Sequence, residues 1–135
     1  MPAAFRHSPE AELQLQLVPH VDLERLRTGA ADDMAWTTLA TRINWGSVLA
    51  HEYHPEAIET MEAAARALAS VHQRHARLGT WGASGPEFTA LGDALVVVDE
   101  MQQAHTKREL HAALQTVMRA QKIPARSGEL LEVDA

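Results

Sequence analysis

Eight histidines among 135 residues are the side chains best placed for chemistry near neutral pH. His51 and His54 lie three apart, as do His72 and His75. On a helix that spacing puts two imidazoles on one side within reach of a single ion, and two such pairs would supply four ligands. His51 and His54, however, straddle a predicted helix end and turn. His72 and His75 fall in the arginine-rich end of their helix, where cationic groups oppose the negative end of the helix dipole. No metal site is therefore expected, and these four histidines are the candidates if one exists.

More specific catalytic motifs are missing from the sequence. No Glu stands three before a His on these helices, so the Glu-x-x-His pattern of di-iron bundles does not occur. His51-Glu52 is followed by His54 one residue too early for the zinc-peptidase pattern. Gly79, Gly82 and Gly85 follow no strand and shape a turn rather than a phosphate loop. Ser47, Ser70 and Ser84 lack the strand-to-helix setting of a hydrolase nucleophile. The absence of cysteine excludes thiolate chemistry and disulfides. No catalytic residue and no cofactor is assigned, and the chain reads as a non-enzyme.

Charge suggests binding instead. The formal net charge of −6 weighs against non-specific binding of nucleic acid. Between Gly79 and His105 there is no Lys or Arg, while Glu87, Asp93, Asp99 and Glu100 all occur, which predicts a helix with an acidic outer face. The helix before it turns basic toward its end, with Arg66, Arg74 and Arg77. Such faces are mostly solvated. As function they would form an electrostatically steered surface for a protein, and secondarily for nucleic acid. Trp45, nearly opposite the Ile43 side of its helix, either anchors an interface or packs under the N-terminal arm or a neighbouring helix.

Helices must position these groups. Only 4% of residues are aromatic, so the core is built from Ala, Leu, Val, Ile and Met, which suit close helix packing. Pro2, Pro9 and Pro19 surround the alternating run Leu13 to Leu17, which predicts a short strand or an extended arm over residues 1–20. Asp22 to Arg27 predicts one or two helical turns that end at Thr28-Gly29. A longer helix is expected from Asp32 or Asp33 to about His51, with Trp36, Leu39 and Ile43 inward. The next begins at Pro55, carries Ile58, Met61, Ala65, Leu68 and Leu78, and ends at Gly79. Ser84 with Glu87, and Thr106 with Glu109, are capping-box spacings that start two more helices. The first carries Phe88, Leu91, Leu95, Val98 and Met101 inward. The second carries Leu110, Leu114, Val117 and Met118. The tail from Gln121, with Pro124 and Gly128, is expected to be mobile.

The expected architecture is all-α: a compact bundle of four to five helices over residues 21–120, an extended arm over 1–20 and a flexible tail over 121–135. No stretch of about 18 apolar residues and no leader-like start occurs, so a cytoplasmic protein without membrane association is expected.

The arrangement Trp36-Thr37-Thr38-Leu39-Ala40-Thr41-Arg42-Ile43-Asn44, then Arg77-Leu78-Gly79-Thr80-Trp81 and Glu87 through Leu95, resembles small hypothetical proteins of beta-proteobacterial phages and plasmids. Some of these carry a Fis-type transcriptional-regulator label. The resemblance spans roughly residues 30–115 and implies an accessory role in a mobile element, exerted by binding a host protein. No helix pair here has a short turn followed by a clearly basic recognition helix. The leading expectation is therefore a non-enzymatic accessory protein that binds a protein partner, with a homodimer as one arrangement. A DNA-binding regulator using Arg66 to Arg77 and a histidine-based metal-binding protein are the alternatives.

Overall fold

The computed structural model describes the backbone of residues 9–127 and the side chains of residues 18–120. Five helices follow one another: α1 Pro9–Thr28, α2 Asp33–Tyr53, α3 Ile58–Leu78, α4 Gly85–Ala104 and α5 Lys107–Ser127. A 3-10 turn, Pro55–Ala57, leads into α3. Among the described residues there is no strand.

The helix ends follow from local chemistry. The Asp32 carboxylate accepts the Ala35 N–H at 2.9 Å and satisfies an amide that would otherwise be unpaired at the start of α2. Gly79, at φ 78°, takes the left-handed conformation that stops α3, and its N–H donates to the His75 carbonyl at 2.7 Å. Both capping boxes close. The Ser84 and Thr106 N–H groups donate to the Glu87 and Glu109 carboxylates at 2.8 and 3.0 Å. The Glu87 and Glu109 N–H groups donate in return to the Ser84 and Thr106 hydroxyls at 3.3 and 3.2 Å.

Helix α2 is the centre of the bundle, packed against α1, α3, α4 and α5. Leu39, Ile43 and Leu49 of α2 are fully buried with Met61 of α3 and with Leu91, Leu95 and Val98 of α4. Gly46 lies where these three helices meet. A Cβ there would overlap Val98 Cγ2 and sit 2.9 Å from Met61 Sδ, so α2 approaches its neighbours at a distance that only glycine permits.

Three expectations change. Leu13 to Leu17 lie inside α1, not in a strand or extended arm. Five alternating residues cannot outweigh the turns anchored by buried Leu23 and Leu26, from which the helix extends back through Pro19 to Pro9. Helix α5 likewise continues past Gln121 and Pro124 to Ser127. Residues 1–8 and 128–135, where the rest of the expected arm and tail fall, lie outside the described residues. Finally, Ala65, Leu78, Leu114 and Met118, expected inward, are exposed. Ala65 gives way to Ala64 and Ala67 on the buried side of α3, Leu78 lies at the helix end, and α5 is covered on one side only.

Candidate functional site

The expected histidine pairs are not assembled. His51 is exposed on the last turn of α2, while His54 turns inward at its cap. His75 stacks on Trp81 with centroids 3.8 Å apart and planes 7° from parallel, and His72 leans on Trp36 at 5.0 Å. Both indoles are tied down, Trp36 Nε1 donating to the Leu68 carbonyl at 3.1 Å and Trp81 Nε1 to Asp33 at 2.9 Å. These imidazoles finish an aromatic cluster. Among the described residues no group of three or more His, Cys, Asp or Glu side chains is placed to hold a metal ion.

The basic surface is smaller than its sequence suggests. Arg74 donates from both terminal nitrogens to the two Glu87 oxygens, at 2.9 and 2.8 Å, and from Nη1 to the Gly82 carbonyl at 2.9 Å. It ties α3, the turn and α4 together. The Arg74 guanidinium, helped by Ser84, holds the Glu87 carboxyl below the usual carboxylate range. Arg66 and Arg77 remain exposed. Trp45 is half-buried: its N–H donates to the Leu110 carbonyl at 3.0 Å, and the Arg42 guanidinium lies 4.8 Å from its ring centre. It joins α2 to α5 within the molecule.

The acidic face of α4 also divides. Asp93 and Glu100 are exposed, but Asp99 turns inward to accept from Arg42 Nη2 at 2.8 Å, and its other oxygen lies 2.8 Å from His20 Nε2. Arg42, only 9% exposed, also donates to Gln102. This network joins α1, α2 and α4, and residue spacing gave no sign of it because its bonds span 57 to 79 positions.

The second constellation that sequence reasoning missed is built on His105. His54, at the end of α2, and His105, at the end of α4, meet with Nε2 atoms 2.7 Å apart and rings nearly perpendicular. His105 Nδ1 lies 3.2 Å from Glu109 Oε1, His54 Nδ1 lies 3.5 Å from Glu56 Oε2, and the Tyr53 ring rests on His105 at 4.4 Å. Backbone bonding from Thr106, aided by His105, keeps the Glu109 carboxyl below its ordinary range. A tetrahedral ion with bonds of about 2.0–2.1 Å would hold two nitrogens about 3.3 Å apart. At 2.7 Å the pair is instead an imidazole–imidazole hydrogen bond. The available clue was topological: in an antiparallel bundle the α2–α3 and α4–α5 turns share one end, and each carries a histidine.

Helix α5 carries an exposed apolar edge. Ala113 and Val117 are buried, while Leu114 and Met118 beside them are 37% and 44% exposed. The helix packs principally on α2, which covers one flank of the stripe. Over its described side chains α5 carries Lys107, Arg108 and Arg119 against Glu109 alone. Among the described residues no helix is long and apolar enough to cross a membrane. Comparison of the chain with family models, curated proteins and solved structures finds no match.

Proposed function

We propose that the protein is a non-enzymatic interaction module that binds a protein partner through α5, acting in the cytoplasm as an accessory factor of a mobile element. The observation that carries this reading is the half-covered stripe of α5. Leu114 and Met118 continue the apolar band beyond the α2 contact, and Lys107, His111, Arg108 and Arg119 border it by helical register. A basic amphipathic helix of this kind suits an apolar groove with an acidic rim. The resemblance of residues 30–115 to phage and plasmid proteins supports the accessory role. The DNA-binding alternative is weakened because Arg74 is committed to Glu87.

The test compares wild type with a Leu114→Glu, Met118→Glu double variant as bait in affinity enrichment from a bacterial lysate, alongside native mass spectrometry of each. A protein retained by wild type and lost with the variant is expected. A dimer that the variant dissociates would make a second copy the occupant. Equal retention by both baits, with no dimer, would refute the reading.

A further inference from the structure

We propose that His54 and His105 form a pH-operated latch that fastens the turn leading into α5 to the end of α2 at neutral pH and releases it in acid, controlling access to the apolar face of α5. The regulatory part rests on α5 being the binding face; the latch itself does not.

The hydrogen-bond inventory fixes how the pair works. A neutral imidazole has one N–H and one lone pair, so a 2.7 Å Nε2···Nε2 contact needs one donor and one acceptor. Glu109 settles which is which. Its Oε1 is held by the Thr106 N–H and lies 3.2 Å from His105 Nδ1, so His105 keeps its proton on Nδ1 and presents a lone pair at Nε2. His54 is therefore the donor, through Nε2–H. One added proton goes to His54 Nδ1, which faces Glu56 at 3.5 Å, and the inter-ring bond survives as a charge-assisted one. A second proton has only His105 Nε2 to bind. It would set two N–H donors and two positive charges against each other across 2.7 Å, and the contact must open. Because the His105 side chain is 8% exposed, water cannot take over as its partner while the turn stays closed.

Acidic and basic groups both stand near the pair. Glu52 and Tyr53 stand at the end of α2, Glu56 in the 3-10 turn and Glu109 in α5. Glu59 begins α3, Lys107 and Arg108 lie in the first turn of α5, and the last turn of α4 carries no basic residue. The pair thus has a state that closes the turns and a state that cannot. Among the described residues, α5 is otherwise held on the core by buried Ala113 and Val117, by partly buried Leu110 and by the Trp45 bond to the Leu110 carbonyl. Releasing α5 would add Ala113 and Val117 to the apolar surface of Leu114 and Met118.

Hydrogen exchange read by mass spectrometry on the free protein, corrected for intrinsic rates, tests the latch between about pH 7.5 and about pH 5. In wild type, protection of the amides of α5 should fall by about tenfold or more on acidification, while that of α3 and α4 is retained. His105→Gln, whose amide oxygen accepts from His54 but cannot be protonated, should hold α5 protection constant. His54→Gln should keep the acid response, because the Nε2 lone pair that must stay bare for the contact to hold belongs to His105. Undiminished α5 protection in acidified wild type would overturn the proposal, as would equal losses in wild type and His105→Gln. Should His105→Gln lose α5 at both pH values, side-chain nitrogen NMR of wild type decides. The tautomers argued above, His54 Nε2–H with a bare His105 Nε2, support the latch, and the reverse assignment refutes it. Neither readout requires a partner, so failure of the latch and failure of the binding reading are separable.

Discussion

A hydroxyl and a glutamate three residues apart close a capping box at the turn from α3 to α4, and again at the opposite end of the bundle where α4 turns into α5. At the first turn the Glu87 carboxylate also takes both terminal nitrogens of Arg74. At the second, Glu109 takes His105, which meets His54. Arginine keeps its charge wherever a protein stays folded, and histidine does not. One end is thereby fastened throughout the working pH range, and the other only conditionally. The difference teaches that a cap motif fixes where a helix begins, while the residue recruited from elsewhere decides how firmly that end of the bundle is closed.

The largest effect should come from the body that both ends share. Gly46→Ala pushes a methyl group into Val98 and Met61, and the overpacking should cost about 3 kcal/mol whatever the pH. Thermal unfolding at two pH values checks this. A loss confined to one pH would mean that the two ends are not built on a common core.

Removing the arginine lock comes next. Arg74→Ala strands Glu87, mostly buried, without its bidentate partner and frees the Gly82 carbonyl, so about 2 kcal/mol should be lost at neutral pH. Because Arg74 lowers the Glu87 pKa, the stabilisation is complete above the ordinary glutamate pKa and is lost as pH falls through the lowered value. The gap in melting temperature between wild type and Arg74→Ala should accordingly be constant from about pH 7 to about pH 5 and close only below about pH 4. A gap that narrowed already at pH 5 would erase the contrast with the histidine end.

Most of the scaffold could be read from local signals. The Asp32 cap, the Gly79 stop, both capping boxes and the apolar stripes of α2, α3 and α4 each depend on residues within a turn or two of one another. The start of α1 could not, because a five-residue alternation competes with a helix propagated from buried Leu23 and Leu26. The candidate site was legible only in part. Spacing singles out His54 only as a partner of His51, a pairing that the end of α2 prevents; its partner His105 is 51 residues away. Arg74 reads as surface charge in the sequence because its partner Glu87 falls on a helix face that reads as outward and acidic. Distances of this kind come from which ends of which helices meet, which periodicity along a single helix does not contain.

The smallest effects should separate the two caps themselves. Ser84→Ala and Thr106→Ala each remove one hydroxyl acceptor from a helix start, a loss of about 1 kcal/mol by local chemistry alone. Their readouts should nevertheless differ. The start of α4 is bound into the core through Glu87 and Arg74, so Ser84→Ala should lower the global melting temperature, by roughly 3–5 °C for a chain of this size. The start of α5 opens without the rest, so Thr106→Ala should leave the melting temperature nearly unchanged and speed hydrogen exchange across α5 by about fivefold, the factor that 1 kcal/mol represents. Equal shifts in melting temperature would mean that α5 unfolds only with the whole bundle. The histidine pair would then be holding a helix that has no separate state to release.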